Sequence, residues 1–260
     1  MVSLRLAIAL MAGLVAYGQS GGLLDDTKAP VKGAAQEAAQ PPSATISPEV
    51  RGDIFMARRM YREAIEAFGQ ASQKDPIIIN KTGIAYHQLL QIDKAKKYYE
   101  RALKLKPTYF EAQNNLGVIY YSQKSFRRAV NCYKKALRFS PDSASVLMNL
   151  GTAYFARKNY KEASGMYEKA LAIDPNVFEH RGTYGTVLEE RTVEERAKFH
   201  YYLAKLYAKD SRTDLALQYL RRALEEGFKD KKKLETDPEF QAMRELPEFK
   251  QLLTAEPRVL

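Results

Sequence analysis

The feature that most constrains the fold of this sequence is a pattern of small and aromatic residues that recurs four times between residues 52 and 175. Each copy begins with a glycine, and an aromatic residue follows three positions later. An alanine comes twelve positions after the glycine, a second aromatic residue sixteen, a second alanine nineteen and a proline twenty-four. The columns are Gly52, Gly83, Gly117 and Gly151; Phe55, Tyr86, Tyr120 and Tyr154; Ala64, Ala95, Ala129 and Ala163; Phe68, Tyr99, Tyr133 and Tyr167; Ala71, Ala102, Ala136 and Ala170; Pro76, Pro107, Pro141 and Pro175. Such a repeat predicts a stack of similar units that bury their apolar faces against one another.

The segments between these columns favour helix over strand. Ala, Leu, Lys and Glu dominate the middle of the chain, and strand-forming residues do not gather into alternating runs. We therefore predict two antiparallel helices in each unit, A and B, with tight turns such as residues 122–125 and 157–159. The glycine on helix A and the alanines on helix B are expected to let the two backbones approach, and the aromatic residues to fill gaps between neighbouring units. Proline then ends helix B, because the residue before a proline is disfavoured in the α conformation.

Two departures from the regular spacing predict local changes in the array. The glycine columns are separated by 31, 34 and 34 residues, and the short step at residues 75–83 predicts that helix A of the second unit begins late. A fifth, weaker copy follows after about 19 additional residues at 176–196. Within this insert Thr192 and Glu195 form a capping-box pattern, which predicts the start of a helix. The fifth copy retains Ala204, Tyr207, Ala216, Leu220 and Ala223.

These recurring columns resemble the tetratricopeptide-repeat (TPR) family over about residues 48–230. The resemblance implies an all-α fold, a right-handed TPR superhelix of antiparallel helix pairs with C-terminal capping helices. Its expected parts are units 1–4 at residues 48–175, the insert at 176–196, unit 5 at 197–230 and the cap at 231–260. The cap is expected to cover the last helical pair with Phe240, Met243, Phe249, Leu252 and Leu253.

The first 47 residues have a different composition from the repeat. Residues 6–17 are an apolar run preceded by Arg5, and small residues surround Gly18. A membrane-spanning helix needs about 20 apolar residues, so we predict a signal peptide at residues 1–18, with an uncleaved anchor or a buried helix as alternatives. Residues 19–47 are rich in Ala, Pro, Gly and Gln and predict a flexible linker. The protein is therefore expected to be exported from a bacterial cell, into the periplasm or beyond.

The sequence offers no recognisable catalytic or metal-binding motif. It contains no GxSxG, P-loop or HExxH pattern. Cys132 is its single cysteine, which excludes an internal disulfide and a CxxC site. The histidines His87, His180 and His200 are far apart in the chain. We therefore predict no catalytic residues, no metal site and no cofactor, and a protein that is not an enzyme.

The resemblance implies that the A helices line a concave groove that binds a partner. The expected groove residues are Asn80, Ile84, His87, Asn114, Val118, Tyr121, Met148, Thr152 and Phe155. The amides would hold a peptide backbone, and the apolar and aromatic side chains would bury anchor residues. We therefore predict a protein-interaction scaffold that binds a protein or peptide segment. The chaperone-binding carboxylate clamp of the family is not expected, because Glu49, Asp53, Glu111 and Asn115 stand where cations are needed.

The positive charge of the chain supports an alternative function. The formal net charge is +10, and helix B carries a basic column at Arg101, Lys135, Lys169 and Arg222. By the geometry of the family this column lies on the outer, convex side. A protein of the cell envelope could bind a polyanionic lipid or glycan there, whereas nucleic acid is not an expected partner of an exported protein. A structural spacer without a specific ligand is a third possibility.

Cleavage of residues 1–18 is directly testable. We expect the protein purified from its native host to begin close to residue 19. N-terminal sequencing of the exported protein measures this, and an intact Met1 on exported protein would contradict cleavage.

Overall fold

The structure is a computed structural model in which residues 46–178 and 192–254 are described. The predicted signal peptide, nearly all of the linker, the centre of the insert with His180, and residues 255–260 lie outside these ranges. Ten helices form five consecutive pairs: α1 Pro48–Ala57, α2 Tyr61–Gly69, α3 Pro76–Gln88, α4 Ile92–Leu105, α5 Phe110–Ser122, α6 Phe126–Phe139, α7 Ala144–Ala156, α8 Tyr160–Ile173, α9 Val193–Lys209 and α10 Thr213–Glu225. Within the described residues there is no strand. The predicted all-α class and the stacked helix pairs are confirmed.

The turn inside each pair has the same backbone geometry. One residue of every turn adopts a left-handed conformation with φ between 56° and 62°, although none of these residues is glycine; they are Arg59, Leu90, Lys124, Lys158 and Ser211. The next backbone N–H donates to the carbonyl five residues earlier, as Ser125 does to Tyr120 at 2.8 Å and Asn159 to Tyr154 at 3.0 Å. This closure satisfies a terminal helix carbonyl. It therefore sets the tight reversal from helix A to helix B.

The second aromatic column packs over the glycine of its own unit. Tyr133 is fully buried, and a Cβ atom added to Gly117 would lie 2.5 Å from its Cε1 atom. Phe68, Tyr99 and Tyr167 contact Gly52, Gly83 and Gly151 in the same way. The expected packing between units also holds for Tyr167, whose ring centroid lies 5.7 Å from that of Phe199 in the next unit, but the glycines do more than let two backbones approach. The absent glycine side chain makes room for a ring within the unit.

The short spacing between Gly52 and Gly83 reflects residues missing from the end of unit 1 and not from α3. Helix α3 begins at Pro76, seven residues before its glycine, and α5 and α7 begin at the same offset from Gly117 and Gly151. The prediction of a late start was therefore wrong. Asp75 accepts a hydrogen bond from the Ile77 N–H at 2.8 Å, so capping and the proline start α3 directly. The missing residues are the turn that follows the proline in later units.

The joint between the fourth and fifth pairs differs from the other joints. Lys198 Nζ lies 2.8 Å from the hydroxyl of Tyr160, at the start of α8, and Lys209 Nζ lies 3.0 Å from Glu168 Oε1, further along α8. The contacts run in the same order along both helices, so α9 follows the direction of α8. A helix joined by a short loop would run the opposite way. The additional 19 residues supply the length that this arrangement needs, since α8 is about 21 Å long at 1.5 Å per residue.

The C-terminal residues cover the last helical pair. Helix α11 (Lys231–Thr236), a 3₁₀ helix (Pro238–Met243) and helix α12 (Pro247–Thr254) bury Leu234, Phe240, Met243, Phe249 and Leu252, and Leu253 is partly buried. Lys205 of α9 makes ion pairs with Asp237 at 2.8 Å and Glu239 at 3.2 Å. Burial opposes the charge of Lys205, but the hydrogen bonds to these two carboxylates outweigh it and raise the pKa of the ammonium group. The predicted capping helices are confirmed.

The ring-over-glycine contact predicts opposite effects for two glycine substitutions. We expect Gly117→Ala to lower the free energy of unfolding by about 1–3 kcal/mol, because its Cβ overlaps the ring of Tyr133. Gly165→Ala on α8 is the matched control, since its Cβ meets no atom within 4 Å, and it should raise stability by about 0.5–1 kcal/mol. Urea unfolding followed by circular dichroism measures both. Equal losses in the two variants would contradict the packing described.

Candidate functional site

The amide side chains of the A helices form a ladder from unit to unit. Asn115 Nδ2 donates to Asn80 Oδ1 at 3.0 Å, and Asn149 Nδ2 donates to Asn114 Oδ1 at 3.0 Å. At the equivalent position of the first joint, Lys81 binds Glu49 at 3.1 Å and Asp53 at 2.8 Å. Asn80 and Asn114 are each 3% exposed. Both predicted groove amides therefore hold neighbouring A helices together.

The remaining predicted groove residues are more enclosed than the sequence indicated. Val118, Tyr121, Thr152 and Phe155 are buried, and Ile84, His87 and Met148 are partly buried. Burial also lowers the pKa of His87, which favours its neutral form. Because consecutive A helices pack side by side, the side chains at these positions largely cover one another. Binding by this set of nine stays a prediction.

Tyr121 and Phe155 line an aromatic cleft at the turn ends of units 3 and 4. The cleft has a volume of about 610 Å³. The ring centroids of Tyr121 and Phe126 are 5.1 Å apart, and those of Phe155 and Tyr160 are also 5.1 Å apart, so the two units repeat one aromatic pair. Of the nine predicted residues, these two lie in the cleft. Its apolar surface suits a large apolar side chain from a partner.

Charged residues surround the aromatic cleft unevenly. Lys124 and Lys158 border it on the turns of units 3 and 4, and both are exposed. Lys198 of α9 crosses its other side, where the ammonium donates to the Tyr160 hydroxyl at 2.8 Å and lies 4.1 Å from the ring centroid. Glu194 and Glu195 border the cleft at the start of α9. The cleft thus has two lysines at the turns, and two glutamates together with Lys198 on the side of α9.

A second depression adjoins the aromatic cleft and is strongly basic. It has a volume of about 410 Å³. We call it the cationic bay, and it is lined by Lys124, Ser125, Phe126, Arg127, Arg128 and Arg157. The cleft and the bay share Lys124 and Phe126. An apolar and a cationic surface are therefore continuous at the turn edge of units 3 and 4.

The sequence contains a signal for the cleft residues outside the six repeated columns. Phe126 and Tyr160 stand nine positions after their glycines, where Tyr61 and Ile92 stand in the first two units. This position begins helix B in each of the four units. From the sequence, this position predicts only the start of helix B. The packing of α9 against unit 4 shows that Phe126 and Tyr160 also border a cleft.

The described residues contain no other evident chemical centre. Within residues 46–178 and 192–254, no group of three or more His, Cys, Asp or Glu side chains could hold a metal ion. The Cys132 thiol is buried, and desolvation raises its pKa. His200 lies 2.7 Å from a carboxylate oxygen of Glu226, at the base of unit 5. In the same part of the chain, no helix is both long and apolar enough to cross a membrane.

The geometry defines a class of protein first: an α-helical repeat protein with an aromatic cleft and a basic depression at the turns of its central units. Family models described as tetratricopeptide repeats match residues 83–124, 109–176 and 181–230, which together exceed half of the chain. The chain belongs to the tetratricopeptide-repeat family. No curated protein matches the sequence.

Several solved structures are similar to this chain. A crystal structure of MamA has a TM-score of 0.46 and 20% identity, covering 70% of this chain and 96% of that one. MamA from Desulfovibrio magneticus RS-1, from residue 41 onward, has a TM-score of 0.47 and 19% identity, with 69% and 92% covered. YrrB, a TPR protein described as having an unusual peptide-binding site, has a TM-score of 0.43 and 24% identity, with 48% and 66% covered.

Two equivalent tyrosines beneath the A helices differ in hydrogen bonding. The Tyr167 hydroxyl donates to Thr152 Oγ1 at 3.2 Å. Val118 occupies the matching position in unit 3, and the Tyr133 hydroxyl is buried without a hydrogen-bond partner among the described residues. A buried unpaired hydroxyl is unfavourable.

These tyrosines predict a pair of stability changes with opposite signs. We expect Thr152→Val to cost about 1–2 kcal/mol, because it removes the acceptor for Tyr167. Val118→Thr should raise the free energy of unfolding by up to about 1 kcal/mol, because it offers an acceptor to Tyr133. Urea unfolding of both variants measures the difference. A loss in Val118→Thr as large as that in Thr152→Val would contradict this account.

Proposed function

We propose that the protein is a non-enzymatic scaffold that binds a segment of a partner protein at the aromatic cleft. The observation that carries the proposal is the repeated aromatic pair, Tyr121 with Phe126 and Phe155 with Tyr160, around a volume of about 610 Å³. Aromatic residues are enriched at the centres of protein interfaces, where a few buried anchors dominate affinity. The cleft thus takes over the anchor role that the sequence analysis gave to the whole concave groove.

The proposal includes a place of action outside the bacterial cytoplasm. It rests on the composition of residues 1–18, which have the charged start, short apolar run and small residues of a signal peptide. In this view the linker that follows separates the array from the site of export. The partner is then a protein of the periplasm, of the envelope or of the exterior.

A polyanion bound on the convex side is the competing function. Arg101, Lys135 and Lys169 are exposed, which a polyanion-binding surface requires. However, Arg101 already donates to the backbone carbonyl of Gln73 at 2.6 Å. Neither the aromatic cleft nor the cationic bay includes a residue of this column. We therefore favour the aromatic cleft.

Phe126→Ala tests the proposal, and Phe139→Ala is its control on the same helix. Phe126 is the first residue of α6 and borders the cleft, whereas Phe139 is the last and is 49% exposed at the opposite end. We expect Phe126→Ala to weaken capture of partners from the native envelope extract by about 1–3 kcal/mol. Phe139→Ala should leave capture unchanged. Quantitative mass spectrometry of the captured proteins measures the effect, and thermal melts confirm that both variants fold.

Two results would contradict this function. If Phe126→Ala and Phe139→Ala captured partners equally well, the cleft would not be the binding site. Loss of capture in Lys135→Glu with Lys169→Glu, together with a steep fall with the logarithm of salt concentration, would favour the polyanion instead.

A further inference from the structure

Within residues 46–178 and 192–254, the cations of the cationic bay have no carboxylate partner, unlike some of the other cations there. Lys81, Arg196, Lys205 and Lys209 each lie within 4.0 Å of a described carboxylate. Among the described residues, no carboxylate lies within this distance of Lys124, Arg127, Arg128 or Arg157. Four positive charges thus surround one depression, and none of them has a carboxylate partner among the described residues.

The sequence around the bay is also more basic than the equivalent positions of the other units. The first turns of the other described B helices each contain an acidic residue: Glu63, Asp93, Glu162 and Asp214. Helix α6 has Arg127 and Arg128 there and no acid. Acidic residues at a helix start are favourable, so this substitution costs some local helix stability. It places Arg127 and Arg128 beside the cleft, in the turn of helix B where the other described B helices have an acid.

The charges at the two borders of the cleft give the combined site a direction. Glu194 and Glu195 border the cleft at α9, while Lys124 leads from the cleft into the bay. An anionic part of a ligand is repelled from the first border and attracted to the second. The planar guanidinium groups of Arg127, Arg128 and Arg157 can each bind a carboxylate through two parallel hydrogen bonds.

We propose that the partner segment carries a large apolar residue for the cleft followed on one side by a cluster of Asp and Glu residues for the cationic bay. This inference rests on the proposed function, since it names the partner of the same site. Charge complementarity adds specificity and speed of association at such a rim, and the apolar anchor supplies affinity. A single acidic residue would leave most of the four bay cations unpaired, so the site favours two or more.

Selection from a random 12-residue peptide display library on the immobilised full chain tests the proposal. Three proteins are compared. The first is the natural sequence, and the second is a bay variant with Arg127→Ala, Arg128→Ala and Arg157→Ala. The third is a convex control with Lys135→Ala, Arg138→Ala and Lys169→Ala, which removes the same number of charges from exposed positions of α6 and α8. The enriched peptides are sequenced, and their affinities are measured by fluorescence anisotropy.

We expect peptides with an aromatic or large aliphatic residue beside at least two acidic residues. The bay variant should bind them about tenfold more weakly, and the convex control should stay within about twofold of the natural sequence. Phe126→Ala should weaken all enriched peptides, which ties them to the cleft.

Each other outcome has a separate meaning. Enriched peptides that lack acidic residues but still depend on Phe126 would overturn the acidic partner and leave the proposed function in place. Acidic peptides that bind the bay variant normally and lose binding in the convex control would overturn the assignment to the bay. If no peptide is enriched, the proposed function fails, and this inference fails with it.

Discussion

The contact on which the rest of the array depends is one aromatic ring over one glycine in each of the first four units. It fixes the distance between helix A and helix B, because a side chain on Gly117 would occupy the place of the Tyr133 ring. The left-handed turn residue then fixes their reversal. With both helices placed, the next unit can stack only in a narrow range of positions. The hydrogen bonds from Asn115 to Asn80 and from Asn149 to Asn114 show the same packing at two successive joints.

The cleft exists because this regularity stops after unit 4. Met148 stands where Asn80 and Asn114 accept hydrogen bonds, so the ladder has no acceptor to offer a fifth A helix. Helix α9 instead follows the direction of α8, and its Phe199 and Tyr202 rings pack against Phe155, with centroids 5.5 Å and 5.6 Å away. This different joint leaves the turn ends of units 3 and 4 beside the start of α9. The volume between them is the aromatic cleft.

The fold could be predicted from the sequence far better than the site. Recurring small and aromatic residues reflect contacts within and between neighbouring units, and those contacts are local in sequence, so the helix pairs could be predicted from spacing. The cap was expected from the family resemblance. The prediction of a late start for α3 was wrong because Asp75 caps the helix and Pro76 begins it directly. Such capping does not depend on the length of the repeat. The cleft could not be predicted from the sequence, because it requires contact between Tyr160 and Lys198, which lie on either side of the insert in the chain. Repeat periodicity contains no information about that distance.

Positions that hold the array together differ from positions that are free to bind. Asn80 and Asn114 lie on the expected groove face, yet their oxygens accept hydrogen bonds from the next helix. Replacing them would loosen the joints and change binding only indirectly. Arg127 and Arg128 are exposed, have no described carboxylate partner and replace the acid that the other B helices carry. Arg128 keeps one favourable contact, since its guanidinium lies 5.6 Å from the centroid of the Tyr120 ring. Residues that replace a favourable acid at a helix start are still the stronger candidates for contact with a partner. By this criterion the turn edge of units 3 and 4, more than the concave groove, is the surface that we propose for recognition of another molecule.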